Sequence, residues 1–504
     1  MNVLLITADN HTLGIQTVAN IIFKNLGDKP SLYFFPSNLE LYPTEILERI
    51  LTFLFNNIDK SEQTFIGFHI NELSSKRVIQ IALRIKNKIN GKLIVGGTYA
   101  SVKYSELSEL FDYVVVGSGY GIINILKAEI NNKSISNVIF SRKFDYFDPL
   151  FADSHILNNY GTIGINRYLP LKHAQYNHNH ALSFISGYGC RNTCSFCEVS
   201  YLRKMHRENY RIVYSDPIST IDILLKEKDE KVDYIYFFDE DFLLKPTKWI
   251  EKFSNLYNKK INLPYFIFST PQSIEKYINK LNILFDTQLD TVNMGIQSGN
   301  KNTLKVFNRR ESRKEVLFST QFLVNAYLKH YLKSPPMFDF IILNPLESKK
   351  EIMDTIELMK VITKPYYAVM HCMSFFYGTP FYNYCIKKQI ISNDYKFRYD
   401  LHDFLSRISS NELNVNYNIE ENLTWLYLNA ILFSMRGFHY VKNKSYKMGN
   451  INKEILDRLI SNSDSVSKEE VMDLIYKIKN PMKNSYYNWE SNYIKKHKYD
   501  SIIN

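Results

Sequence analysis

Three of the chain's five cysteines fall within eight residues, in 188-YGCRNTCSFCEVS-200, as Cys190-x3-Cys194-x2-Cys197. Thiolates spaced this closely on one loop can reach a single metal centre. Zinc would need a fourth donor, for which His206 is the nearby candidate. A [4Fe-4S] cluster held by three thiolates instead leaves one iron open to another ligand. The other two, Cys372 and Cys385, lie far downstream and read as packing residues, with a cavity-facing role for Cys372 left open. A run of carboxylates, Asp239, Glu240 and Asp241 in FFDEDF, stands ahead of KPTKWIEKF, where the dipole of a following helix would favour acids.

Two series of strand-like runs must position these groups. VLLIT, SLYFF, TFIGFHI, KLIVGG and DYVVVGSG alternate with helical patterns such as GIQTVANIIFKNLG. That alternation predicts a parallel, doubly wound sheet with ligands at the carboxyl ends of its strands. A second series follows: ALSFIS, VDYIYFF, PYFIFS, DTVNMGI, MFDFIIL and YYAVMHCMSFF. Six strands with helices between them predict a partial (β/α)6 barrel, whose chemistry sits at the strand C-termini. The three cysteines come directly after the first of these strands. The fold class expected is therefore α/β, with a Rossmann-like N-terminal domain over 1–140, a connector over 141–180, a partial TIM barrel over 181–395 and a C-terminal helical cap over 396–504.

The totals narrow the setting. Five cysteines in 504 residues are no secreted disulfide framework. The N-terminus lacks a basic region, and no apolar run is long enough to span a bilayer, so a cytoplasmic protein without a membrane span is expected. The net charge of +11 comes from lysines spread along the chain, so no nucleic-acid surface is expected. Arg203, Lys204, Arg207 and Arg211 read as a solvated face rather than a steering patch, and His173, His178 and His180 as solvent-facing loop histidines.

Cys190-x3-Cys194-x-Phe196-Cys197 resembles the signature of the radical S-adenosylmethionine (SAM) enzymes. The resemblance implies a [4Fe-4S] cluster on Cys190, Cys194 and Cys197, with Phe196 beside it. The open iron would chelate SAM, and one electron from a flavodoxin- or ferredoxin-type donor would release a 5′-deoxyadenosyl radical. Asp239, Glu240 and Asp241 match the family's acidic segment, where polar groups meet the SAM amine. MGIQSGNKNTLKVFNR is similar to the fourth-strand segment, which implies SAM contacts from Gln297 and Ser298 and a carboxylate contact from Arg309. DFIILNPLES resembles the fifth-strand pattern at Ile342 and Glu347, while Phe340 and Asn344 replace its glycines.

The first 135 or so residues resemble the cobalamin-binding domains that precede some of these barrels. The likeness lies in IGFH, GKLIVGGTYAS and DYVVVGSGYG, with Gly96, Gly97, Gly117 and Gly119 at strand ends and with His69 and Tyr99 where relatives carry other residues. A nucleotide-binding Rossmann domain is the alternative, but no GxGxxG opens the first helix. Asp9-Asn10-His11-Thr12-Leu13-Gly14 spells DxHxxG, a cobalamin motif that implies His11 on cobalt, Asp9 behind it and Gly14 at the cofactor. The resemblance as a whole implies a cobalamin-dependent radical SAM enzyme that methylates an unactivated carbon, or phosphorus, of a small molecule or peptide through methylcobalamin. The alternatives are a non-methylating relative that forms or rearranges rings, and a corrinoid-binding sensor. A methylthiotransferase is disfavoured, since no cysteine precedes Cys190.

Overall fold

The first strand, β1 (Asn2–Thr7), is apolar along most of its length, with no alternation of polar and apolar residues. Such a strand must be covered on both faces. The structure is a computed structural model that describes residues 2–7, 13–35, 44–57, 63–72, 74–86, 88–141, 157–163, 168–170, 176–177, 181–205, 212–228, 232–391, 440–441 and 444–445. In it, Val3 and Leu5 join one hydrophobic core and Leu4 and Ile6 another. The same alternation between cores holds for Leu32 and Tyr33, Phe65 and Ile66, and Ile94 and Val95.

These residues belong to β2 (Ser31–Phe34), β3 (Thr64–His69) and β4 (Gly91–Gly96), which are followed by β5 (Tyr113–Gly117) and β6 (Val138–Ser141). The order is β6-β5-β4-β3-β1-β2, all parallel. The sheet continues through β7 (Tyr160–Ile163), parallel to β2, and β8 (Tyr168–Pro170), antiparallel to β7. Both lie in the stretch expected to be an extended connector. What the structure describes of that stretch partly enlarges the first sheet. The strand order reverses between β1 and β3, and in doubly wound sheets ligands bind outside the strand C-termini at that reversal.

The second series comprises β9 (Tyr176–Asn177), β10 (Ala181–Phe184), the short hairpin of β11 (Gly187–Tyr188) and β12 (Val213–Tyr214), β13 (Tyr234–Phe237), β14 (Tyr265–Ser269), β15 (Leu289–Gln297), β16 (Met337–Ile342) and β17 (Tyr367–Cys372). Six of these, β10 and β13 to β17, fall on the six runs picked from the sequence. The fold class is α/β, with a parallel-strand half-barrel in this second part.

The described chain divides into two compact units. The first takes Met1–Phe268, Tyr277–Asp290 and Phe376–Pro380; the second takes Ser269–Lys276, Thr291–Phe375 and the described residues from Phe381 on. The first thus holds the whole N-terminal sheet and strands in the order β9-β10-β13-β14, with β9 antiparallel to β10. The second holds β15-β16-β17.

Local signals set the helices that brace these strands. Asp216 caps the helix Pro217–Glu227 through Ile218 N and Ser219 N, and Ser312 and Glu315 form a capping box at Arg313–Leu328. Trp249, Phe253 and Tyr257 of the helix Thr247–Lys260 pack with Phe237, Phe242 and Tyr265. Among the described residues, no helix is long and apolar enough to cross a membrane. Asp9, His11, His173, His178, His180, His206, Arg207, Arg211 and the side chain of Lys204 lie outside the described residues, as does nearly all of 396–504.

Candidate active site

Strand β10 is buried along its length, and the chain leaves it through the β11 pairing and Gly189, whose φ of +106° suits glycine. The cysteine loop follows. Cys194 is buried and Cys190 and Cys197 are half-buried, and all three are free thiols. Backbone bonds shape the turn, with Cys197 N donating to Cys194 O at 3.2 Å and Ser200 N to Cys197 O at 3.1 Å. Asn192 N points at Cys190 Sγ, 3.4 Å away. Burial pushes the Cys190 and Cys197 thiols up to about 12, and the neighbouring thiols push them further in the same direction.

This set fits a cluster. Among the described residues, no three His, Cys, Asp or Glu side chains close around one point as a single ion would need. A cluster takes each thiolate on a different iron and so accepts a wider spacing. Three thiols on a single loop, none of them in a disulfide, that sense one another's charge are the donor set such a cluster takes, and loading would displace their protons.

The three consecutive carboxylates have three different partners. Asp239 accepts from Ser186 N at 3.1 Å and Ser186 Oγ at 3.0 Å, and pairs with Lys245 Nζ at 2.6 Å. Lys245 also lies 3.9 Å from the centre of the Phe242 ring. Burial pulls the Lys245 pKa down against the pull of Asp239. Glu240 accepts from Gly189 N at 3.0 Å, which fixes the backbone next to Cys190. Burial raises its carboxyl to about 7, opposed by backbone N–H groups and Lys245. Asp241 caps the short 3-10 turn Phe242–Leu244 through Leu243 N, and its charge reaches Cys190. The helix Thr247–Lys260 has Pro246 at its cap position, so none of the three acids caps it. Tyr188, Gly189, Val213, Glu240, Asp241 and Leu244 line a small cavity here.

The carboxyl ends of the N-terminal strands meet this loop. Glu72, after β3, is hydrogen-bonded to Glu198, the residue directly after Cys197. Burial raises both carboxyls, which favours a proton held between them, and Thr98 Oγ1 lies 3.5 Å from Glu72 Oε2. Tyr188 is hydrogen-bonded to Thr17 of the helix Leu13–Leu26. Tyr99 meets Tyr377 edge-on, with ring centres 5.5 Å apart, and burial raises its hydroxyl to about 12. His69 Nδ1 is 3.2 Å from Thr7 Oγ1.

The strand-end glycines differ in what surrounds them. Gly97 has φ +105°, and a Cβ there would lie 2.4 Å from Ile70 O, so it serves close packing of the loops. Gly119 packs likewise on Val18, whereas Gly14 faces open space and Gly96 is loosely surrounded. Gly117 N donates to Ser101 Oγ at 2.9 Å. Glu72, Glu198, Tyr188 and Lys245 were not singled out from the sequence. Only Glu198 carried a local signal, its place directly after the third cysteine.

In the second unit, Gln297 ends β15 at a bulge with φ +71°, and its carboxamide folds over Gly295. Arg309 donates to Gly295 O at 2.6 Å and pairs with Glu311 at 2.5 Å. Ser298 Oγ donates to Glu347 Oε1 at 3.1 Å and lies 3.2 Å from Thr355 Oγ1. Ser298 and Glu347 are therefore bound to each other. Ile342 is fully buried on the face of β16 that carries Phe338 and Phe340. Phe196 is half-buried in the cysteine loop, Cys372 is half-buried at the end of β17, and Cys385 is buried.

Burial raises Glu347 from 4.5 to about 7, against the hydroxyls of Thr303 and Ser298. A carboxyl raised on folding contributes its full stability below its unfolded pKa, and that contribution is lost as pH climbs through the folded value. Stability is thus expected to fall between pH about 4.5 and about 7. At about 1.4 kcal/mol per pKa unit, this group's share is on the order of 3 kcal/mol. Urea unfolding of Glu347→Gln across that range checks it: the wild-type slope flattens, and an unchanged slope refutes the assignment.

Comparison with known proteins agrees with this geometry. Residues 184–359 match the model of the radical SAM superfamily. No curated protein sequence matches the chain. The solved cobalamin-dependent S-adenosylmethionine radical enzyme OxsB, with aqua-cobalamin and SAM bound, is 13% identical, with 99% of this chain and 82% of that one covered and a TM-score of 0.60. The radical SAM methyltransferase TsrM from Kitasatospora setae, with tryptophan and a SAM analogue bound, is 11% identical over 77% of this chain and 76% of that one, with a TM-score of 0.55. At such identities the likeness is one of fold. The cysteine loop, the strands around it and the family match together make residues 184–359 a radical SAM domain.

Proposed function

We propose that the protein is a cobalamin-dependent radical SAM enzyme that methylates an unactivated carbon, or phosphorus, of a small molecule or peptide. The observation that carries this reading is the contact of the N-terminal domain with both ends of the cysteine loop, through Glu72 after β3 with Glu198 and through Thr17 of the first helix with Tyr188. A corrinoid at the β1/β3 reversal would then lie beside the cluster and its SAM. When bound, the cluster supplies the electron that cleaves SAM to a radical, and the corrinoid carries the methyl group.

The chain's own residues hold and orient. Cys190, Cys194 and Cys197 would hold the cluster. Glu240 keeps Gly189, and so Cys190, in place. Asp239 holds Ser186, at the base of the same loop, through two hydrogen bonds. The Glu72–Glu198 pair fixes the first helix after the cluster against the loop that follows β3. Ser298 and Glu347 shape the end of β15, where Gln297 would meet SAM, and Arg309, held by Gly295 O and Glu311, braces that end from behind. A flavodoxin- or ferredoxin-type protein supplies the electron.

The test is SAM turnover by the anaerobically reconstituted chain with reductant and cobalamin, read by mass spectrometry. Formation of both 5′-deoxyadenosine and S-adenosylhomocysteine is expected. 5′-Deoxyadenosine without S-adenosylhomocysteine moves the reading to the non-methylating branch. Neither product, with iron and cobalamin bound, overturns it.

A further inference from the structure

The three parallel strands of the second unit have unlike faces. Val292, Met294 and Ile296 of β15, with Phe338, Phe340 and Ile342 of β16, are at most 1% exposed. The other face carries Asn293, Gly295, Asp339, Ile341, Val369 and His371. The register sets Gly295 beside Asp339, Asp339 beside Val369, and Ile341 beside His371. Residues paired in register share a face, as do residues two apart on one strand.

Three polar groups gather on that second face. His371 Nε2 lies 3.4 Å from Asp339 Oδ1, with the two side chains 56% and 14% exposed. Asn293 is only 6% exposed and stands diagonally across from Asp339. Among the described residues, Asn293 Oδ1 has no hydrogen-bond donor, and Asp339 Oδ1 has the His371 ring at a long 3.4 Å. A buried acceptor without a donor costs about 1–3 kcal/mol, and folded chains leave few of them. Nothing in the packing of these strands calls for an orphaned amide oxygen beside a buried carboxylate, since the apolar face shows what a purely structural strand would carry.

We infer that Asn293, Asp339 and His371 form a binding site for a protonated amine of the substrate. This deepens the function proposed above and rests on it, since it supplies the class of molecule on which the domain acts. An ammonium group offers three N–H donors and a positive charge, which suit an amide oxygen and a carboxylate together. A carboxylate or phosphate would bring further acceptors and be repelled by Asp339. Among the described residues of these strands, Tyr367 of β17 is the other titratable side chain on this face, and the nearby Arg309 is already paired with Glu311.

His371 reports on the site. Burial works against a charge on its ring, but the adjacent Asp339 outweighs that and holds its pKa above the usual value. An ammonium bound to Asp339 competes with that proton, so amine binding and His371 protonation oppose each other.

The test uses the full chain labelled with 15N-histidine, in which the His371 signal is assigned by its loss in His371→Gln. Propylammonium is titrated in, with propanol and propionate as size-matched controls. Saturable movement of the His371 signal toward its neutral form is expected with propylammonium alone. Asn293→Leu should weaken the binding by about tenfold or more, as expected for a lost hydrogen bond to a charged group. Asn293→Asp should tighten it, and unchanged signals from the other histidines show that each variant is folded. No saturable shift, equal affinity in Asn293→Leu, or equal binding of propionate overturns the site. The binding needs neither cluster nor reductant. A negative result therefore removes the amine site and leaves the enzyme reading intact, whereas absent SAM cleavage bears on the latter alone.

Discussion

Lys245→Met is expected to destabilise the chain by about 3–5 kcal/mol, the usual cost of removing one partner from a buried ion pair. Lys245 and Asp239 are each 3% exposed, with their charged atoms 2.6 Å apart. Without the ammonium, Asp239 keeps only the two donors of Ser186 for a charge shut away from water. The adjacent Glu240 also loses the cation that lowers its pKa, so it too becomes harder to ionise. The double variant Asp239→Asn/Lys245→Met should recover most of the loss, because it removes the stranded charge as well. Urea unfolding of both proteins decides the matter. A single-variant loss below about 1 kcal/mol, the usual worth of an exposed pair, would mean that the pair is solvated.

This pair also shows what the sequence could not reveal. The strands were legible because each is a short apolar run closed by glycine or polar residues, and a sheet covered on both faces needs that pattern. The cysteines were legible because their ligand spacing is local. The acids of FFDEDF were legible only as a group. The chain bends just after β13, so Asp239, Glu240 and Asp241 reach three partners: the base of the cysteine loop, its backbone and a 3-10 turn. Lys245 joins Asp239 because that turn folds it back. Glu72 meets Glu198 through tertiary packing alone. Gly97 read as a place for ligand approach, but Ile70 O fills the space where its Cβ would stand. Asp9 and His11 lie outside the described residues.

Cys194→Ala is expected to abolish both iron retention and 5′-deoxyadenosine formation while leaving the fold intact. Cys194 is the most buried of the three cysteines, and its part in the turn is made by its backbone oxygen, which accepts from Cys197 N. Alanine keeps that bond and fits the space, so the stability change should stay within about 1 kcal/mol, an ordinary value for a point substitution. The thiolate cannot be replaced, because a cluster with one iron open for SAM has no spare protein ligand. Cys385→Ala supplies the comparison. It removes another buried thiol, from the second unit and far along the chain from the loop, and should leave turnover unchanged. Iron content, SAM cleavage and thermal unfolding measured side by side separate the possibilities. Full iron and full turnover in Cys194→Ala would mean that the three cysteines do not act together. One zinc per wild-type chain, with no iron uptake on anaerobic reconstitution, would make the loop a structural metal site. Loss of iron and radical formation in Cys194→Ala alone, with unfolding unchanged, would tie the chemistry to the three thiols.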